Sequence, residues 1–507
     1  MSLDANSKAD IKKFNIYPNA GGKEINVAGG VVELSYYEDI MSPTVRVTTG
    51  FIDTGRAAGA NDGSGAKITA AEKIKLTGME KCEIELEDAL GQKITLKDIH
   101  VGSRQRLTEK LNDLEILEIV SKENLRNESV RVIKKYEGKI SDSIKKILQE
   151  VLQTTKPLDI ESTKNQRAFI GTTKKPFWFI YWLASQSIRE NTSALGLTAG
   201  YFFFETKSGY KFKSIDALLG QTPTKKYIYN NTTSSKIPKG YTGKIINYDS
   251  NFTSDMNDKL MMGAFNSSVN LFNSFESAFN CNPLNIGAQE SAIKYPGTEY
   301  GKNLNSFFIK DPSRFFTGNE AIGALTDIDR SHEYDVQKSQ ILSTSSSRYN
   351  QFFTNKVNIT IAADFSLEAG QAIFVDFPEQ SSKTNPDNNS RMSGIYIISA
   401  LCHKVTPGTN NSGFQGITSL ELVRDSYGRK PSGMASSSKE TASSPSGSLV
   451  SGQTGIPDAD AIQAAAGERK LLSDQAAANS TSNRNQENLT NADILTPEEA
   501  EAQFRFR

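Results

Sequence analysis

The chain has 507 residues, with 58 basic and 58 acidic side chains and a formal net charge of zero, a balance that argues against a general nucleic-acid binder, which carries a basic excess. Hydrophobic residues make up 37%, or about 44% with glycine counted, near the low edge of the globular range, so part of the chain is expected to stay outside a packed core. Three distant cysteines (Cys82, Cys281, Cys402) exclude a disulfide scaffold, three histidines (His100, His332, His403) leave few candidates for a metal centre or a His-based triad, and no apolar run is long enough for a membrane span. The length alone suggests two to four domains at roughly 150 residues each.

Residues Met1 to Phe14 are polar and charged, without the apolar core of a signal peptide. The first 120 or so residues then read as β. Val31 to Tyr37 and Thr44 to Asp53 are rich in β-branched and aromatic residues, Ile74-Lys75-Leu76 and Cys82 to Leu86 alternate, and Ile94, Leu96, Ile99 and Val101 follow a turn at Gly91. Such alternation marks strands with one buried and one wet face. Gly55 to Gly65 reads as a loop between strands.

A helical block follows. Ile140, Ile144, Ile147, Leu148, Val151 and Leu152 fall at helical spacing, with an N-cap near Ser141 or Asp142 and Pro157 past the end. Pro176 to Ile188 is expected to be a second helix, apolar on every side, buried all round and holding both tryptophans, Trp178 and Trp182. Tyr201 to Glu205, a turn at Ser208-Gly209 and Tyr210 to Ile215 form a hairpin pattern. From about 219 to 334 the chain is Asn-, Ser- and Thr-rich with weak periodicity, and Met256 to Phe265 suits a short helix or strand.

Asp335 to Phe353 is expected to be helical. Val357, Ile359 and Ile361 then alternate, as do Ile373, Val375 and Phe377, and Tyr396 to Cys402 and Ser419 to Val423 continue as strands of a second β unit ending near Arg429. From residue 429 to Arg507 the only aromatics are Phe504 and Phe506. Such a composition cannot offset the cost of ordering the backbone, and a flexible low-complexity tail is expected. Thr496, Pro497, Glu498 and Glu499 supply the start of one short helix near its end.

The motifs of common chemistry are missing from this pattern. The loop Gly59 to Lys67 fails as a phosphate loop, because Ala66 displaces the lysine and no Ser or Thr follows it. His332-Glu333 lacks the second histidine of a zincin. Cys402 and His403 are adjacent strand residues and point to opposite faces, which reads as a core cysteine and an edge histidine. Lys174-Lys175 and Lys225-Lys226 read as solvated faces, and no spacing singles out a carboxylate pair. No catalytic, cofactor-binding or metal residue is assigned, and a β-rich α+β chain of two β units flanking a helical block suits assembly better than an enzyme.

Four segments in order resemble the baseplate central hub proteins of contractile-tailed bacteriophages, in the style of cyanobacterial myoviruses. They are Lys134-Lys135-Tyr136-Glu137-Gly138 leading into a helix, Lys175 to Ala184, the hairpin Gly200 to Asp216, and Gln351-Phe352-Phe353 with Val357 to Ile361, Asp364 to Gly370 and Ser393 to Tyr396. The resemblance implies two tail-tube-like β-barrel domains, 1–122 and 201–218 with 335–428, and a helical bridge at 123–200; the polar insertion at 219–334 and the tail at 429–507 depart from the family and inherit no role from it. It implies a structural virion protein of the tail baseplate, made in the host cytoplasm, with no enzymatic activity and no cofactor. The hub would be a homotrimer fitting a sixfold tail tube to a threefold spike. Its partners would be itself, the tail tube or distal tube protein, the central spike, and baseplate wedge and tape-measure proteins, with no direct nucleic-acid recognition. A tail-associated cell-wall hydrolase and a receptor-binding tail protein are the alternatives.

Overall fold

The computed structural model describes residues 8–53, 69–109, 112–190, 199–229, 237, 240–249, 256–273, 278–285, 306–320, 341–377, 392–408 and 413–425. Every described residue lies between Lys8 and Asp425. The loop expected at Gly55 to Gly65, His332 and the tail fall outside the described residues.

The described part is β-rich, with one large sheet and few helices. Its first strands are β1 (Lys8–Tyr17), β2 (Ile25–Asn26), β3 (Val31–Asp39), β4 (Arg46–Asp53), β5 (Lys81–Asp88), β6 (Lys93–Glu109) and β7 (Asn112–Ser121). In β5 the alternation buries Cys82, Ile84 and Leu86, and in β4 it buries Val47 and Phe51; each large apolar side chain so buried contributes roughly 1.5–3 kcal/mol. Ile74-Lys75-Leu76 is not a strand. The helix α1 (Ala70–Ile74) ends there with Lys75 as its left-handed cap, and it starts because Thr69 caps the Glu72 N–H and the distant Asp53 carboxylate takes those of Ala70 and Ala71. The strand β1 is absent from the sequence reading because a register shift between Ile11 and Lys13 breaks its two-residue period.

The helical block contains α2 (Lys122–Ser129), β8 (Lys135–Tyr136), α3 (Ile140–Lys146) with a π turn at Ile147–Val151, β9 (Leu158–Ile160), β10 (Phe169–Ile170) and α4 (Pro176–Ala184). The expected apolar positions Ile140, Ile144, Ile147, Leu148 and Leu152 are all buried, packed on Phe177, Ile180 and Leu183. The cap differs from expectation: α3 starts at Ile140, and the Ser141 N–H donates to Thr163 Oγ1 from outside the helix (3.0 Å). Helix α4 ends at Ala184 and is not buried all round. Trp178 is 48% exposed, because only one side of the helix meets the core. Trp178 stacks on Trp182, which also meets Phe169 and Phe179 edge-on and carries the Arg167 guanidinium over its ring at 4.1 Å.

The expected hairpin is β11 (Tyr201–Thr206) with β12 (Gly209–Ser214), and β12 pairs in parallel with β9 of the helical block. Every residue of β11 is buried. Tyr201 and Phe203 face the helical cluster, while Phe202 and Phe204 face a second cluster with Phe352, Phe374 and Ile397. The hairpin is thus packed between the two.

The remaining elements are α5 (Ile215–Leu219), β13 (Lys225–Ile228), β14 (Gly243–Asp249), α6 (Met256–Met261), β15 (Asn266–Asn273), β16 (Ala278–Asn285), α7 (Ser306–Ile309), β17 (Arg314–Glu320), a helix through residues 341–352, β18 (Asn355–Ala362), β19 (Ala372–Asp376), β20 (Gly394–Pro407) and β21 (Phe414–Arg424). The span read as a polar insertion therefore supplies two strands, β13 and β14, to the large sheet, and a separate sheet ordered β16-β15-β17. Their signal is weak because β13 is short and its pairings to β14 and β19 are parallel.

The large sheet has 13 strands and closes on itself twice. One circuit runs β3-β4-β7-β6-β5-β1-β21-β20 and returns to β3; the other runs β19-β13-β14-β18-β21-β20 and returns to β19. The long hairpin β20–β21 belongs to both. The residues of β20 from Ala400 to Val405 pair with β3, and those from Gly394 to Ile397 pair with β19. One continuous apolar core, from Phe14 and Phe51 to Ile359 and Leu422, runs through both circuits.

Candidate functional site

Charged side chains gather where the turn of the β11–β12 hairpin meets β3 and the segment 364–370. Glu205, next to last in β11 after four aromatic residues, is 2% exposed. Its Oε2 accepts the Val45 N–H (3.0 Å) and the Ser121 hydroxyl (2.6 Å), and its Oε1 accepts Lys156 Nζ (2.5 Å). Lys156 also donates to Glu123 at 2.9 Å. Burial pushes the Glu205 carboxyl up, against the pull of Lys156. Burial pulls the Lys156 ammonium down, but its two carboxylates prevail and its net shift is upward.

Two residues on, Lys207 gives its backbone N–H to Glu38 Oε1 (2.7 Å) and its ammonium to the carbonyls of Phe365 and Leu367. Glu368 accepts Lys211 Nζ (2.5 Å), Ser208 Oγ (2.8 Å) and Thr206 Oγ1 (3.2 Å). Burial alone would raise the Glu368 carboxyl, but Lys211, the Ser208 hydroxyl and the Lys207 charge bring it below its ordinary value. Asp364 is lowered in the same way, its burial outweighed by bonds from Lys225, Ser366 and Tyr227. Lys225 is therefore an internal partner and not the solvated face expected of Lys225-Lys226. From β5, Asp88 takes the Phe365 N–H at 2.9 Å. The turn of one hairpin is thus tied to strands of the first circuit through Glu205 and Glu38, and to a segment of the second through Lys207 and Glu368.

His403 lies beneath this cluster. It is fully buried, whereas Cys402 is half-buried, which reverses the expected core cysteine and edge histidine. The reason is that β20 runs on to Pro407, so residue 403 is interior to the strand and its parity faces the core. Its Nδ1 pairs with Thr418 Oγ1 at 2.8 Å and its ring stacks on Tyr36 and meets Phe365 edge-on. Burial pushes its pKa down to about 3. Cys82 is buried with its thiol pushed up by desolvation, which suits packing and not nucleophilic chemistry. His100 lies on β6 and Cys281 on β16.

Among the described residues no group of three His, Cys, Asp or Glu side chains could hold a metal ion, and no helix is long and apolar enough to cross a membrane. What the junction can do chemically is hold: its carboxylate oxygens are engaged by donors from distant segments. Glu205 carried a sequence signal, as the charged residue in the run Tyr201 to Glu205. Glu38 carried none.

No family model and no curated protein matches the chain. Among solved structures it is similar to the tail protein from Neisseria meningitidis, at 11% identity over 82% of this chain and 96% of that one, with a TM-score of 0.47. It is also similar to the 43 kDa tail protein of prophage MuSo2 from Shewanella oneidensis, at 8% identity over 82% and 99% of the two chains and a TM-score of 0.48. A third is prophage tail protein gp18 from Listeria monocytogenes, at 8% identity over 81% and 94%, with a TM-score of 0.38.

Proposed function

We propose that the chain is the central hub of a phage tail baseplate, a homotrimer that fits the sixfold tail tube to the threefold spike by assembly and not by catalysis. The observation that carries this reading is the double closure of the sheet around the shared hairpin β20–β21. Two closed strand circuits per chain give six in a trimer, which reconciles the two symmetries without a second protein. Closure also removes the open edges that would otherwise template uncontrolled pairing, and rings of such subunits form through heterologous contacts that close.

In this reading the two circuits are tube-like barrels. The first is built on 1–122 and the second on 335–428 with β13 and β14, whereas the hairpin 201–218, expected in the second, pairs with β9 outside both circuits. The hairpin junction fixes one barrel against the other, since a ring tolerates little play between its members. Among the described residues of 256–320, Met261, Phe307, Phe308 and Phe315 are exposed, and exposed apolar side chains of this size support contact with a neighbouring tail subunit. The tube or distal tube protein, the spike, and wedge and tape-measure proteins are the partners of the assembled particle in the virion tail. Electron microscopy of the purified chain mixed with its cognate spike tests the reading: a ring capping the spike is expected, and a particle that neither forms rings nor binds the spike would overturn it.

A further inference from the structure

Glu38 lies on β3 with 1% of its surface exposed, and three chain segments converge on its carboxylate. Oε1 accepts the Tyr36 hydroxyl (2.7 Å) and the Lys207 N–H (2.7 Å), and Oε2 accepts the Ala369 N–H (2.7 Å). The other acids around it are balanced differently. Glu205 and Glu123 share Lys156, Glu368 has Lys211, and Asp364 has Lys225. Asp88 is held by the backbone N–H groups of Leu90, Gln92 and Phe365. Among the described residues no cation lies in ion-pair contact with Glu38. Lys207, the ammonium that faces it from the hairpin, is engaged by the Phe365 and Leu367 carbonyls. A buried carboxylate without a cation is costly to ionise.

We propose that docking of the hairpin turn onto β3 and the segment 364–370 is proton-linked through Glu38. The closed junction holds a proton on this carboxyl, the opened junction releases it, and the turn therefore opens more readily as the medium passes from mildly acid to alkaline. In the ionised form the carboxylate accepts the Tyr36 hydroxyl and the Lys207 and Ala369 N–H groups. Burial outweighs these three donors, Glu368 adds repulsion, and the Glu38 carboxyl is pushed up to about 7 from an ordinary 4.5.

The sign follows from linkage. A folded-state value raised above the unfolded one gives stabilisation that is complete below about pH 4.5 and lost as the pH rises through about 7. The facing groups do not mimic this. His403, on the other side of Tyr36, is held neutral by its value of about 3. Asp364 and Glu368 are lowered and titrate below the window. Lys207 is pulled down by burial, which has the opposite sign. Glu205 is raised and has the same sign, so the test must isolate Glu38. The proposal does not depend on the tail reading.

Hydrogen–deuterium exchange of the full chain, corrected for intrinsic exchange chemistry, is read in peptides spanning 205–209 and 367–371. Between pH 5.5 and 7.5 protection is expected to fall roughly twentyfold, the linkage of one proton moving between values of 4.5 and about 7. Glu38→Gln is expected to remove that twentyfold component, leaving only what Glu205 contributes with the same sign. Tyr36→Phe keeps the acid but removes one donor, and is expected to retain the fall with its midpoint at higher pH. An unchanged pH dependence in Glu38→Gln, a flat wild-type profile, or an unmoved midpoint in Tyr36→Phe would overturn the proposal.

Discussion

Lys156 Nζ lies 2.5 Å from Glu205 Oε1 and 2.9 Å from Glu123 Oε2, with all three side chains largely withdrawn from water. This one ammonium joins the end of the β11–β12 hairpin to the first residues of the helical block. Removing it leaves two buried carboxylates facing each other. Lys156→Met is therefore expected to lower stability by about 3–5 kcal/mol, measured by urea unfolding. The double change Lys156→Met with Glu205→Gln is expected to recover part of that loss, because it removes one of the stranded charges.

Gly209 closes the same hairpin at φ +123°, where an added Cβ would lie 2.3 Å from the Pro157 carbonyl oxygen. The obstacle is backbone on both sides, since the Tyr210 N–H bonds to that carbonyl. Gly209→Ala is expected to cost at least about 1–3 kcal/mol from the backbone conformation alone, with the contact adding to it. A drop in melting temperature together with increased proteolysis near residues 157–160 would report that β12 has parted from β9.

His403 gives a pH dependence of its own. Its folded-state value, pushed by burial from 6.5 to about 3, lies below the unfolded one, so the unfolded chain binds the extra proton. The stabilisation is complete above about pH 6.5 and lost as the pH falls toward 3. His403→Gln is expected to show a shallower loss of stability than the wild type across that window, read as urea midpoints against pH. This dependence runs opposite to that of Glu38 and overlaps it, so global unfolding alone would blend the two.

The strands that obey a simple two-residue period were legible: β3, β4, β5, β18 and β19 lie where Val31, Thr44, Cys82, Val357 and Ile373 place them. Strand β1 was hidden by its bulge near Ile11, and β13 and β14 by the polar sequence around Tyr227 and Ile245. Which strands meet to close each circuit was not legible. Closure rests on pairs such as Ala9 with Phe414 and Ile373 with Tyr396, and pattern along a strand does not name its neighbour. The junction was half visible. Glu205 stands out in an apolar run and Gly209 marks a turn, but Glu38 becomes part of a site only when Lys207 and Ala369 arrive from elsewhere in the chain. The turn chemistry of Thr69 and Asp53 likewise overrode the short alternation at Ile74.

The mass of the full-length chain in solution tests the hub reading most directly. Multi-angle light scattering at neutral pH, with and without the cognate spike protein, is expected to give a stable species of three times the 55.6 kDa chain mass, which gains the mass of one spike on mixing. A chain that stays monomeric under both conditions, and clears peptidoglycan as a monomer, would contradict it.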